Sequence, residues 1–337
     1  MKESLKASGK GLFNTIYVEK RAYGYDITRQ LLNRFGSCPV VPVKHYKDVF
    51  NRPNQHFDVQ KQHPSLILAV KEGSFLYQGP DICQDFGYRR FFYSSFLLNC
   101  IFDCEYCYLQ GMYPSANIVA FVNTEDFLRA MDDEASNGSF YLAASYDTDL
   151  IAFHNIIPYP DYLYDFLRTH RDITAEIRTK SANREFYGNH EPMDNIIIAF
   201  TVAPQEIIRR YERHTPSLEA RIKAIQAAME RGFKVRLCFD PVFINPEINE
   251  LYEPFYDYIF SQVDPAGILD VGYGFFRMPK DFFKRIEKRR INSLLYCDDY
   301  CLREDVVSYP PELQNEIREK HIAILSRYIE RDRIFSL

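Results

Sequence analysis

The 337-residue chain has no tryptophan and no excess of positive charge: 41 Lys and Arg stand against 46 Asp and Glu, a formal net charge of −5. No global basic field is available to recruit nucleic acid, so any polyanion has to bind on a local patch. Long apolar runs are lacking too, and none approaches the roughly 20 residues that span a bilayer. The opening stretch MKESLKASGKGLFN holds no apolar segment of the kind that directs secretion. Eight cysteines are few for a disulfide scaffold of this length. Reduced thiols, a cytoplasmic address and no membrane partner are the expectation. Internal repeats, low-complexity tracts and an evident linker are also missing.

Tyrosine and phenylalanine, by contrast, are plentiful: they make the chain 15% aromatic, with 46% hydrophobic and 26% charged residues. That is the profile of a globular protein with a well-filled core. Residues 1–88 read as a mixed α/β region, with a strand and a helix in TIYVEKRAYGYDITRQLLNRF and a second strand in SLILAVKEG. From residue 89 onward, six strand-like runs alternate with helix-like stretches. The runs are RRFFYSSFLL, GSFYLAASY, DITAEIRTK, NIIIAFTVA, FKVRLCFDP and ILDVGYGFFR. The clearest helix has Thr215 as N-cap, Pro216 at its first position and Gly232 as stop. Its Leu218, Ile222, Ile225 and Met229 recur at helical spacing and form one apolar stripe.

Repeated βα units predict an α/β fold with a parallel sheet. Six units are too few to close an eight-stranded barrel, so a partial (β/α)6 barrel is expected over residues 89–280. An N-terminal α/β extension (1–88) precedes it, and a helical, substrate-side segment (281–337) follows. Ligands in such folds sit at the carboxyl ends of the strands.

Directly after the first of the six runs comes NCIFDCEYCYLQGMY, residues 99–113, with Cys100, Cys104 and Cys107. Three thiols cannot complete a tetrahedral zinc site, and an odd number cannot pair off as disulfides. Bound to one cubane cluster, they leave one iron open to a small molecule carrying an amine and a carboxylate. A zinc loop with a distant fourth ligand, or plain buried thiols, are the alternatives.

The C-x3-C-x2-C spacing resembles the signature of the radical S-adenosylmethionine superfamily. CEYCYLQGMYPSANIVAFVN, ASYDTDL, IRTKS, AFTVAP, FDPVFI and YPPELQNEIREKHIAILSRYIERD resemble the spore photoproduct lyases within it. The resemblance covers most of the chain from about residue 89, and the first 88 residues less convincingly. It implies a [4Fe-4S] cluster on Cys100, Cys104 and Cys107, with S-adenosyl-L-methionine on the fourth iron. A 5′-deoxyadenosyl radical would then reverse a thymine photoproduct in DNA, fed by a flavodoxin- or ferredoxin-type electron donor. Tyr106 and Tyr108 would lie beside the cofactor, Lys180 would pair with its carboxylate, and Thr201 and Asp149 would complete the binding set.

Two departures from the family pattern stand out. Where the lyases carry a hydrogen-donating cysteine, in a Cys-Thr-Ser-Asp stretch, this chain has Tyr146-Asp147-Thr148-Asp149. Tyr146 could donate a phenolic hydrogen. Cys238, on one strand face with Asp240, is the other expected donor, with Cys297 and Cys301 as further candidates. The second departure is YCDDYCLREDVVSY, acidic where the family's DNA-reading hairpin is basic. A basic run just before it, KDFFKRIEKRR (residues 280–290), could form a phosphate-facing stripe. Cys297 and Cys301 could hold an auxiliary metal site only if Cys38 and Cys83 joined them. Action on another substrate within the same framework, or a non-catalytic metal- or DNA-binding role, are the competing functional readings.

Overall fold

A computed structural model describes residues 11–336; most of the N-terminal stretch judged against secretion lies outside the described residues. Six parallel strands form the centre of the molecule: β1 (Phe91–Tyr93), β2 (Phe140–Ala143), β3 (Ile173–Thr179), β4 (Ile196–Thr201), β5 (Lys234–Val242) and β6 (Ile268–Phe275). They pair in sequence order, the pattern that right-handed βαβ crossovers produce. The six expected units are therefore present as a partial barrel. Tyr77–Gln78 adds an antiparallel edge outside β1, and Ile334–Ser336 a parallel one outside β6. Phe86 bridges the two sides, with ring centroids 6.1 Å from Tyr141 on β2 and 5.4 Å from Phe335 on the last strand.

The first strand-like run splits in two. After β1 the chain crosses to a second sheet, where Leu97–Leu98 pairs with Ile118–Phe121. That sheet runs Val40–Val43, Ile16–Glu19, Leu66–Ala69, Ile118–Phe121, Leu97–Leu98. The boundary expected at residue 88 thus does not divide the sheets. The N-terminal sheet takes two strands that flank the cysteine segment, so it grips that segment at both ends. The expected strand and helix near the N-terminus are present as Ile16–Glu19 and Asp26–Arg34.

The helix Leu218–Glu230 buries Leu218, Ile222 and Ile225 as the apolar stripe requires, but its cap is Ser217 rather than Thr215. Ser217 Oγ accepts from Ala220 N at 3.3 Å, while Thr215 donates its hydroxyl to the carbonyl of Glu212 at 2.8 Å. The C-terminal region is not purely helical. Arg277–Pro279, Cys301–Arg303 and Val306–Ser308 form a small antiparallel sheet before the helix Pro311–Leu325. Pro279 leads into the helix Lys280–Arg289.

The barrel interior is charged at its centre. Arg236 on β5 is 1% exposed; it donates to both carboxylate oxygens of Asp270 on β6 and, at 2.6 Å, to Glu176 on β3 and to the hydroxyl of Tyr141. Its guanidinium carbon lies 3.2 Å from the centre of the Phe86 ring. Arg178 continues the ladder from Glu176 towards Asp240, and Arg277 closes it on Asp240. Three guanidiniums thus face three carboxylates in the core, and each carboxylate pairs with at least one cation.

Two stability predictions follow from these buried groups. Arg236→Ala strands the Asp270 carboxylate without a cation and costs about 3 to 5 kcal/mol, measured by urea denaturation. His321 accepts or shares hydrogen bonds from Tyr256 and Tyr273, both 3.0 Å from Nδ1, and burial lowers its pKa from 6.5 to about 4. The unfolded chain therefore takes up a proton from about pH 6.5 downward that the folded chain refuses until near pH 4. Stability falls across that window by up to about 3 kcal/mol, and the fall is absent in His321→Gln.

Candidate active site

The site lies at the carboxyl ends of the strands, in a cavity of about 380 Å³, within the usual range for a small-molecule site. Cys100, Cys104 and Cys107 line it, as do Tyr106, Tyr108, Tyr146, Asp149, Lys180 and Thr201. Of the expected residues only Cys238 and the further donor candidates Cys297 and Cys301 are not among those that line it. Cys238 is fully buried and does not form part of the wall. It does face inward, as its alternation with Asp240 implied, but one layer deeper, among Arg178, Glu176 and Arg236. Two of these neighbours, Glu176 and Arg178, themselves line the cavity.

The cysteine loop has almost no regular structure, and its shape is imposed by neighbours. Asn99, at φ +71°, turns the chain out of the N-terminal sheet, a conformation asparagine tolerates. Its side-chain amide donates to the carbonyls of Ser115 and Asn117, each at 2.8 Å. Lys61 from the N-terminal region donates to the carbonyls of Cys100 and Phe102 at 2.6 and 2.7 Å. Asp103–Cys104 pairs antiparallel with Glu212–Arg213. On the other side, buried Arg290 meets Asp103 and the side chain of Gln110, and Arg285 donates to Gly111 O at 2.9 Å. Gly111 lies so close to the helix Lys280–Arg289 that a Cβ there would come within 2.5 Å of Phe282 Cα.

This arrangement revises the expected phosphate-facing stripe. Arg285, Arg289 and Arg290 all donate to the cysteine loop, and Lys280 faces Asp305. Half of that basic run holds the site rather than a duplex. Cys297 is exposed and Cys301 lies on a separate hairpin, while Cys38 donates to Phe13 O and Cys83 lines the cavity. These four do not gather into a second metal site.

Burial raises the pKa of all three loop thiols, that of Cys100 to about 12. Without a metal they are neutral thiols, and a bound metal has to displace their protons. Among the described residues the only His, Cys, Asp or Glu trio with ligand atoms within 4.8 Å of one another is His154, Asp161 and His190. The three loop sulfurs do not form such a trio. Three thiols lining one cavity suit three irons of one cluster with the fourth left open. Lys180 Nζ lies 5.4 Å from the Tyr106 ring centre, and among the described residues its ammonium makes no hydrogen bond or ion pair. Burial works against its charge, but Glu212 and Cys104 outweigh it and raise its pKa. Ser145 Oγ and Thr148 Oγ1 are buried in the wall and have no protein partner. A free cation and two orphaned hydroxyls beside three sulfurs fit a zwitterionic ligand such as S-adenosylmethionine.

Other expected ligands turn out to be scaffolding. Asp149 accepts from Ala152 N at 2.9 Å, from Thr179 Oγ1 at 2.7 Å and from Lys180 N at 2.7 Å. Its carboxylate is filled by protein donors, and it fixes where Lys180 leaves β3. Tyr106 donates its hydroxyl to Glu212, which also pairs with fully buried Arg221. Tyr108 donates to Tyr146 O at 2.5 Å. Thr201 keeps its place in the wall, with its carbonyl accepting from Arg221 at 3.1 Å. Lys61, Glu212 and Arg221 went unnoticed in the sequence, because nothing local marks a residue whose partner lies far along the chain. Arg290→Ala is expected to lower cluster retention several-fold, measured as iron and sulfide per chain after anaerobic gel filtration, with the fold intact by circular dichroism.

The family model described as spore photoproduct lyase matches residues 92–300. A curated spore photoproduct lyase from Bacillus subtilis (strain 168) is 21% identical over 296 residues, covering 82% of this chain and 81% of its own length. A solved spore photoproduct lyase complexed with dinucleoside spore photoproduct superposes with a TM-score of 0.83 at 15% identity, covering 97% of this chain and 98% of that one. A mutant lyase with bound AdoMet and dinucleoside spore photoproduct gives 0.82, also at 15% identity, over 96% and 98%. These structures share the partial-barrel fold, the family match spans most of that barrel together with the cysteine loop, and the chain belongs to the spore photoproduct lyase family.

Proposed function

We propose that this protein is a radical S-adenosylmethionine lyase that reverses a methylene-bridged thymine photoproduct in DNA. The observation that carries the reading is the convergence of Cys100, Cys104 and Cys107 with the unpaired Lys180 ammonium in one cavity of a chain in this family. The three thiols would hold the [4Fe-4S] cluster, and Lys180 would receive the carboxylate of S-adenosylmethionine. When bound, that pair supplies the electron and the carbon-centred hydrogen acceptor that open the reaction.

The chain's own residues supply position and dryness. Tyr106 and Tyr108, both tied by their hydroxyls, wall the cavity with rings that exclude water. Thr201 stands at the end of β4, and Asp149 holds the backbone of Lys180 in register with it. The bridged bases would enter from the open side, next to Tyr146. A one-electron donor of the flavodoxin or ferredoxin class completes the reaction, and the cytoplasm is the compartment that this reading implies. Among the described residues no helix is long and apolar enough to cross a membrane.

Anaerobic incubation of the reconstituted protein with S-adenosylmethionine, a reductant and dinucleoside spore photoproduct tests the reading. Cofactor cleavage with return of thymidylyl-thymidine supports it; cleavage without repair would assign the framework to another substrate. Lys180→Met should raise the KM for S-adenosylmethionine about tenfold or more, since a charge-assisted contact to a carboxylate is lost.

A further inference from the structure

No member of the trio His154, Asp161 and His190 lines the cavity, and nothing in the proposed reaction uses it. Its members come from three helix ends in two successive βα units. His154 follows the helix Leu150–Phe153, Asp161 stands in the first turn of Tyr159–Leu167, and His190 follows Glu185–Asn189. The first two helices connect β2 to β3, and the third connects β3 to β4. Both imidazoles aim the same atom at one oxygen: His154 Nε2 lies 2.9 Å and His190 Nε2 2.6 Å from Asp161 Oδ1. Aromatic rings hold both imidazoles in place. The Phe186 ring centre lies 5.5 Å from that of His154 and 4.6 Å from that of His190, and Tyr164 lies 4.1 Å from His190. The His154 side chain is 6% exposed and that of His190 13%, while Asp161 is 31% exposed, so solvent reaches the trio at the carboxylate.

We propose that His154, Asp161 and His190 form a second metal site, which takes a divalent ion of the zinc type and ties together the helices that frame Lys180. Two imidazole nitrogens and one carboxylate oxygen are a borderline donor set, suited to zinc rather than to magnesium or calcium, which take mainly oxygen ligands. Three protein ligands leave a fourth tetrahedral position to water, which enters at Asp161. The present N···O separations are hydrogen-bond lengths. Metal bonds of about 2.0 to 2.1 Å in a tetrahedron set neighbouring donor atoms roughly 3.3 Å apart, so Asp161, the most exposed of the three, backs off by under about 1 Å. Each neutral imidazole moves its proton from Nε2 to Nδ1, and the freed Nε2 lone pair binds the ion. His154 Nδ1 is buried with no partner among the described residues, so no hydrogen bond has to break to receive that proton. The helix before His154 begins at Asp149, whose carboxylate accepts from Ala152 N and Lys180 N. After Lys180 the chain is tied back to that helix by Asn183 Nδ2 on Ile151 O at 3.3 Å, then enters the helix that ends at His190. An ion joining His154 to His190 clamps this loop at its far end.

Zinc chloride added to the reconstituted, cluster-loaded protein tests the assignment, because iron then occupies the three loop thiols. One zinc per chain should bind at micromolar concentration or tighter in competition with a chromophoric chelator. His190→Gln and Asp161→Asn should each weaken that binding about tenfold or more. X-ray absorption at the zinc edge of the unaltered protein keeps the assignment testable where a variant fails to fold. It should show nitrogen and oxygen neighbours at about 2.0 Å and no sulfur shell at about 2.3 Å. In hydrogen–deuterium exchange, zinc should slow the amides of residues 149–154 and 180–190 about fivefold or more. Binding weaker than about 100 µM, a sulfur shell, or variants that bind as tightly as the unaltered protein overturn the site, and unchanged exchange overturns the clamp. None of these readouts depends on turnover, so the site stands or falls separately from the lyase reading.

Discussion

A segment with three thiols in eight residues has almost no backbone ladder of its own, so the chemistry at the barrel mouth depends on how that segment is clamped. Two opposite sides of the molecule do it. Lys61 and Asn99 bind its entrance through main-chain carbonyls, and Arg290 grips its middle through Asp103 and Gln110. The Glu212–Arg213 bridge adds the two-residue strand that sets Cys104. Charge-assisted hydrogen bonds of this kind are directional and short, and they convert an irregular loop into a fixed ligand frame. The N-terminal sheet is therefore part of the catalytic apparatus in a mechanical sense, because it supplies both ends of the frame.

Below that frame the barrel is filled by an alternating ladder of guanidinium and carboxylate rather than by aliphatic side chains alone. Arg236 and Asp270 lie deepest, and Glu176, Arg178, Asp240 and Arg277 carry the pattern to the cavity wall. Such a ladder is costly to desolvate and is stable only when every member is paired. It also connects function to fold. The same Arg277 that neutralises Asp240 donates to the carbonyl of Ile82, so the cavity wall at Cys83 is set by the core.

The sequence made the barrel and the ligand set legible because both leave local signals: alternation of strand and helix patterns, and a fixed cysteine spacing. Lys180, Tyr106 and Tyr108 came from the resemblance to the family, carried over position by position. What stayed hidden was long-range. The splitting of RRFFYSSFLL between two sheets depends on a pairing with Ile118–Phe121 that no local pattern reports. Arg285, Arg289 and Arg290 looked like a phosphate stripe because a helix face does not reveal which partner it meets. For Cys238, alternation gave the inward facing of the side chain but not its full burial. The place of Cys83 in the wall was hidden because it sits in a turn-rich stretch, YQGPDICQDFGY, that packs on the barrel through Phe86 and Arg236.

The central claim is that three sulfurs leave one metal corner open to S-adenosylmethionine. Electron paramagnetic resonance of the anaerobically reconstituted, reduced protein tests it most directly. A single reduced-cluster signal whose g values shift when S-adenosylmethionine is added is the result this account predicts. A colourless protein holding zinc, or a cluster signal indifferent to S-adenosylmethionine, would contradict it.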